Sequence, residues 1–177
     1  MTNPRIDGPA MGAAIVWVSN RQRYRPVNGR TIQRLAEETL RKLSATGEIG
    51  IHLVTSKRMA SVNEQYLRHT GSTDVITFDH GSTPGHLHGE LFICVVEAVD
   101  QAREFRTTWR QELVRYVIHG LLHLCSFDDL EPVKRRRMKR VENRLVRWWE
   151  SGHRTRSQGV VSPSLARRRR RKLPSRG

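Results

Sequence analysis

The sequence contains only two cysteines, Cys94 and Cys125, and no apolar run long enough to span a membrane. Two isolated cysteines exclude the disulfide framework of a small secreted protein, so we expect both thiols to be reduced, with no disulfide partner. The N-terminal segment lacks the basic start and the long apolar core of a signal peptide. These absences predict a soluble cytoplasmic protein that does not act on a membrane.

Acidic residues are scarce in the C-terminal quarter of the chain. Residues 134–177 contain 17 of the 32 Lys and Arg but only two acids, Glu142 and Glu150, which gives 17 − 2 = +15. The whole chain also carries +15, so the first 133 residues are balanced. Such a basic segment binds a phosphate backbone by releasing counterions, without sequence preference. An anionic membrane surface is the competing partner, but the tail lacks an apolar face that would insert into lipid, and nucleic acid is favoured.

The pattern of apolar residues predicts one α+β domain over residues 13–150, with a mixed β-sheet of about four strands covered by helices. Residues 1–12 and the basic tail 151–177 lack such a pattern, so we expect both to be disordered. Gly47 is the expected stop of the first helix, and Ser56 is the expected cap of the second. The predicted strands are 13–19, 48–55, 74–79 and 90–96, of which the last is continuously apolar and therefore central. The predicted helices are 30–46, 56–68, 97–124 and 132–149.

Two histidines, His119 and His123, stand one turn apart near the end of the predicted long helix 97–124, close enough to reach one metal ion. In a chain with eight histidines, spacing alone would favour two helical residues without an ion. The context favours a metal, because the chain turns after His123 and returns Asp128 and Asp129, either of which could close a three-ligand site. Three protein ligands leave a position for water, as in catalytic zinc sites. A zinc peptidase carries a glutamate base where this motif has Gly120, which disfavours peptidase chemistry.

The stretch from His119 to Leu124, His-Gly-Leu-Leu-His-Leu, followed by Phe127-Asp128, resembles the signature of the YbeY family of ribosomal-RNA maturation endoribonucleases. That signature is His-Gly-any-Leu-His-Leu-any-Gly-aromatic-Asp-His. Upstream, Asn-Glu-Gln-Tyr-Leu-Arg at 63–68 and Thr-Asp-Val-Ile-Thr-Phe at 73–78 also resemble the family, and the likeness runs in order through the predicted domain. The resemblance implies a single-strand-specific, metal-dependent endoribonuclease that acts in 16S 3′-end maturation and ribosome quality control.

Two positions depart from the family signature, because Ser126 replaces its glycine and Asp129 replaces its third histidine. Alignment with the signature favours Asp129 over Asp128 as the third metal ligand beside His119 and His123. The resemblance implies one Zn²⁺ per chain, and a carboxylate is an acceptable zinc ligand. Its negative charge would lower the Lewis acidity of the ion and favour Mn²⁺ or Mg²⁺ as alternatives.

Arg68 matches an arginine that lines the active cleft of the resembling family. An arginine at a helix end is usually a solvated residue, but its planar fork also suits a phosphate. The resemblance therefore implies catalytic roles for Arg68, His119 and His123, with ribosomal RNA and the small ribosomal subunit as partners. Two other functions stay open: a non-catalytic ribosome assembly factor with a structural ion, and a metallohydrolase acting on another substrate. The sequence does not predict the oligomeric state.

Overall fold

The computed structural model describes residues 12–67 and 70–157, which form a four-stranded mixed sheet and five α-helices. The strands are β1 Ile15–Asn20, β2 Thr46–Val54, β3 Val75–Asp79 and β4 His86–Cys94. The helices are α1 Gly29–Lys42, α2 Ser56–Val62, α3 Val95–Phe105, α4 Trp109–Leu124 and α5 Pro132–Ser157, and a π-helical turn, Asn63–Leu67, follows α2. This architecture confirms the predicted α+β class.

The sheet has the strand order β1-β2-β4-β3, in which β1, β2 and β4 are parallel and β3 is antiparallel to β4. Strand β4 is thus internal, as its continuous apolar run predicts. Helices α1 and α4 pack on one face of the sheet, and α5 packs against α4. Helix α4 therefore lies between the sheet and α5, and its last turns carry His119 and His123.

The opposite face of the sheet is covered only at one end among the described residues, where α2 buries Met59 and Val62 against a smaller apolar cluster. That cluster contains Cys94, which is buried, while Cys125 lies partly buried beside the main core; the two thiols are not joined. Along the remainder of this face, aromatic rings contact one another in the order Trp17, His52, Phe92, Phe78, Tyr66.

The prediction of one long helix over 97–124 is wrong, because the structure has two helices in this region, α3 and α4. Arg106 adopts a left-handed conformation with φ 55° and ends α3. Thr108 then begins α4 through a reciprocal capping box with Gln111. The apolar period continues across this break, so periodicity alone does not reveal it. The sequence feature that indicates a helix start here is a threonine followed three residues later by a glutamine, which is the pattern of a capping box.

The prediction that Gly47 ends the first helix is wrong, because Gly47 lies inside β2. Helix α1 ends at Lys42, and Ser44 takes the left-handed conformation with φ 53°. Gly47 has φ 119°, and a Cβ there would lie 1.8 Å from the carbonyl oxygen of Leu87. The glycine is therefore needed for the close approach of β2 and β4.

Three other boundaries differ from the prediction. Thr55, not Ser56, caps α2 by accepting a hydrogen bond from the backbone N–H of Arg58. Strand β4 begins at His86, before the predicted start at residue 90, because its first residues pair with the start of β2, from Thr46 onward. Helix α5 continues to Ser157, beyond the expected end near Trp149. Residues 1–11 and 158–177, which include most of the segments predicted to be disordered, lie outside the described residues.

None of the helices in the described ranges combines the length and the apolar composition needed to cross a membrane.

Candidate metal centre

The last turns of α4 and the turn that follows them bring the predicted ligands together. The imidazole rings of His119 and His123 are 4.6 Å apart between centroids, and their Nε2 atoms are 3.0 Å apart. Helix α4 ends at Leu124, and Ser126 then adopts a left-handed conformation with φ 61°. Glycine favours this conformation, which explains why the family signature has glycine there. The reversal returns Asp129 to the open side of the two rings.

The carboxylate of Asp129 faces both histidines. Its Oδ2 lies 3.9 Å from His119 Nε2, and its Oδ1 lies 4.0 Å from His123 Nε2. One ligand atom from each residue lies within 4.8 Å of the others. Ligands about 2.0–2.2 Å from a tetrahedral ion are separated by roughly 3.3–3.6 Å, so a small adjustment would accommodate a metal. The three side chains could therefore hold one ion.

Asp128, the alternative ligand, is bound elsewhere. Its carboxylate accepts hydrogen bonds from the backbone N–H of Leu130 at 2.9 Å and from Lys134 Nζ at 3.2 Å. These two bonds hold the pKa of the Asp128 carboxyl below its usual value. Asp128 thus organises the turn before α5, and the structure groups Asp129 with the histidines instead.

The hydrogen bonds of the outer ring nitrogens indicate that each imidazole carries a proton on Nδ1. His123 Nδ1 donates to the carbonyl oxygen of Phe127 at 3.1 Å, and His119 Nδ1 donates to Glu142 Oε2 at 2.9 Å. With the ring protons placed there, both Nε2 atoms present lone pairs to each other. Two acceptors 3.0 Å apart repel each other unless a metal ion binds both or a proton lies between them. The donor set of two imidazoles and one carboxylate thus fits a zinc ion.

The protonation state of His123 also suits metal binding. Burial, together with the neighbouring His119, lowers the pKa of His123. A lowered pKa keeps this imidazole neutral near pH 7, which is the form that binds a metal.

Glu142 supports the site from α5, and sequence reasoning missed this role. Its side chain is only 2% exposed and accepts hydrogen bonds from His119, Lys139 and Arg115. Burial raises the pKa of Glu142, but these three donors outweigh it and lower the pKa to about 2. A carboxylate in this position fixes the ring and the tautomer of a ligating histidine. The sequence feature that could have indicated this role is the position of Glu142, one helical turn after the apolar Met138, which places the acid on the inner face of α5.

A groove of about 740 Å³ opens beside the candidate ligands, between α5 and the α3–α4 pair. We call it the α4–α5 groove, and its lining includes Phe105, Tyr116, His119, Asp129, Arg136 and Lys139. The candidate ligands His119 and Asp129 are thus open to this groove. Arg68 lies outside the described residues, so its role stays a prediction.

Comparisons with known proteins agree with these observations. The model of the family described as endoribonuclease YbeY matches residues 17–150. An endoribonuclease YbeY of Bacteroides fragilis is 36% identical over 119 residues, which are 64% of this chain and 85% of the relative. One of Parabacteroides distasonis is 41% identical over 102 residues, 57% of this chain and 70% of the relative.

The fold has also been seen in a solved structure. The solution structure of a Thermotoga maritima protein matches with a TM-score of 0.63 and 23% identity, covering 85% of this chain and 99% of that one. The family match extends from β1 to residue 150, in the C-terminal part of α5, and includes both histidines and Asp129. The chain therefore belongs to the endoribonuclease YbeY family.

Proposed function

We propose that the protein is a metal-dependent endoribonuclease that cuts single-stranded RNA in ribosomal-RNA maturation, including 16S 3′-end processing, and in ribosome quality control. Family membership supports an RNA-cleaving hydrolase. The observation that carries metal dependence is the convergence of His119, His123 and Asp129 at the mouth of an open groove. The outer nitrogens of both imidazoles are engaged, so their free lone pairs face the candidate metal position.

In this proposal, His119, His123 and Asp129 hold one Zn²⁺, with Mn²⁺ or Mg²⁺ as alternatives because of the carboxylate. A bound divalent ion polarises a phosphoryl oxygen and makes the phosphorus more electrophilic. Arg68 stabilises the negative charge that develops on the phosphate. Glu142 keeps the lone pair of His119 Nε2 directed at the ion.

The basic residues of α5 and of the C-terminal segment 134–177 bring RNA to this site. Their charge favours any phosphate backbone, so they supply affinity and encounter rate but not sequence selectivity. The proposed partners are ribosomal RNA and the small ribosomal subunit, and the proposed location is the cytoplasm, where precursor ribosomal RNA is processed.

A cleavage assay with matched RNA strands tests the proposal. The purified protein with one equivalent of Zn²⁺ is incubated with an unpaired RNA strand and with the same strand in a duplex. We expect cleavage of the unpaired strand at least about tenfold faster, because a duplex must open before its backbone can bend into a site. Chelation should stop the reaction, and added metal should restore it.

The same preparation distinguishes the other functions. If it supports 16S maturation in extracts but cuts no RNA with any of the three ions, the protein is a non-catalytic assembly factor. If it hydrolyses a small ester or peptide faster than RNA, it is a metallohydrolase of another class. Either result would contradict the nuclease proposal.

Replacing Arg68 with alanine should lower kcat for RNA cleavage at least about tenfold, because a charge-stabilising group acts mainly in the transition state. The zinc content should be unchanged, since Arg68 is not a predicted ligand. Kinetics and elemental analysis of the variant measure both quantities. Arg58→Ala is the matched control, because Arg58 is an exposed arginine on α2. Equal rates for the two variants would exclude a catalytic role for Arg68.

A further inference from the structure

We propose that the α4–α5 groove binds the unpaired nucleotides adjacent to the scissile phosphate and that Phe105 stacks on one of their bases. This inference rests on the proposed function, because the groove begins at His119 and Asp129. A phosphate held beside these residues would have its neighbouring nucleotides directed into the groove. The groove thus determines how the RNA strand lies relative to the cut.

The floor and far end of the groove are largely apolar. Phe105, at the C-terminal end of α3, is 60% exposed, which is unusual for a large aromatic side chain. Tyr116 and Met138 are buried in the groove wall. An exposed aromatic ring beside an apolar wall suits a ligand with a flat face, as a nucleobase has.

The rim of the groove favours a phosphate backbone. Arg135 and Arg136 project from α5 as exposed cations in the groove lining. Two acids of the lining are already neutralised: Glu112 pairs with Arg115, and Glu142 accepts from Lys139 and His119. Asp74 and the candidate ligand Asp129 are the other acids of the lining, so a polyanionic strand meets cations along the rim and two acids without a Lys or Arg partner among the described residues. A purely apolar peptide would leave Arg136 without a partner.

The length of the groove sets the number of nucleotides. His119 lies ten residues beyond the start of α4, or about 15 Å along the helix axis, and Phe105 lies just before that start. A strand stacked at about 3.4 Å per nucleotide covers this distance in about four nucleotides, and an extended strand in fewer. Phe105 should therefore contact a base about two to four nucleotides from the cut.

Binding measurements on matched variants test the assignment. Fluorescence anisotropy with a labelled unpaired RNA of about ten nucleotides, a length within known single-strand site sizes, gives Kd for the full chain, and a gel confirms that the RNA stays intact. We expect Phe105→Leu to weaken binding about fivefold or more, because leucine keeps the apolar contact but cannot stack. Phe105→Trp should bind within about twofold of the wild type. Tyr24→Leu, which removes another exposed ring that does not line the groove, is the control and should bind like the wild type.

The salt dependence of Kd separates phosphate contacts from stacking. Arg136→Ala should reduce the slope of log K against log salt by about 0.7, the value for one phosphate contact on a single strand, whereas Phe105→Leu should leave the slope unchanged. Wild-type affinity in Phe105→Leu, or an equal loss in Tyr24→Leu, would overturn the groove assignment even if the protein cuts RNA. Groove-dependent binding without cleavage would overturn the nuclease proposal alone. No binding of RNA by the wild type would overturn both.

Discussion

Replacing His123 with alanine is expected to remove both the bound ion and RNA cleavage. The loss of metal affinity should exceed the roughly 10- to 100-fold that is typical of residues that only support a ligand. The Nε2 atom of His123 lies 3.0 Å from Nε2 of His119 and 4.0 Å from the carboxylate of Asp129. Alanine at this position leaves only two ligand side chains at the site. Elemental analysis after gel filtration gives the metal content, and the single-stranded RNA assay gives the rate.

Matched variants make this result specific to the metal site. His88→Ala removes an exposed histidine from β4 and should retain the ion and the activity. Asp129→Ala should behave like His123→Ala, whereas Asp128→Ala should keep the ion, because Asp128 is bonded to Leu130 and Lys134. Thermal unfolding of each metal-free variant checks that the fold survives. A His123→Ala protein with one equivalent of tightly bound zinc would disprove the site.

The order of the secondary structure elements and the central position of β4 could be predicted from the sequence because they depend on local periodicity. A continuous apolar run indicates a strand that is buried on both faces, and β4 lies between β2 and β3. The same periodicity did not predict the end of α3 at Arg106, because the apolar pattern continues from α3 into α4 without interruption. Chain direction there is set by one left-handed residue and a capping box, which are local details that hydropathy does not contain.

The candidate ligands were predictable because helix geometry fixes the neighbours of a residue within one element. His119 and His123 are four residues apart, and Asp129 follows after a short turn. The sequence did not distinguish Asp129 from Asp128, because that choice depends on the direction of the turn at Ser126. The resemblance to the family signature favoured Asp129, which is the carboxylate that the structure groups with both imidazoles.

The remaining parts of the site depend on contacts between distant elements. Glu142 is 23 residues from His119, and it stands in a strongly basic segment where charge patterning indicates a solvated helix face. Its burial against α4 appears only when α5 is packed. The α4–α5 groove has the same origin, since Phe105 reaches it only because α3 ends at the break.

A variant with alanine at Glu142 is expected to bind zinc about 10- to 100-fold more weakly while keeping all three ligands. Without the carboxylate, His119 Nδ1 loses its acceptor, so the ring can rotate or carry its proton on Nε2, where the metal should bind. The unfolding free energy of the metal-free protein should also fall by about 2 kcal/mol. This is less than the 3–5 kcal/mol typical of a fully buried pair, because Arg115 is 25% exposed and keeps its pairing with Glu112.

Three measurements separate positioning of His119 from a general structural effect. Competition with a chromophoric chelator gives the zinc Kd, nitrogen NMR shifts of the imidazole report its tautomer, and denaturant unfolding gives stability. Glu131→Ala is the matched control, because it removes an exposed acid that pairs with Lys134 beside the start of α5 and should change none of the three. Glu142→Gln keeps an oxygen acceptor in the same place and should recover part of the affinity. If Glu142→Ala loses stability but binds zinc as tightly as Glu131→Ala, the carboxylate holds α5 against α4 and does not orient the histidine.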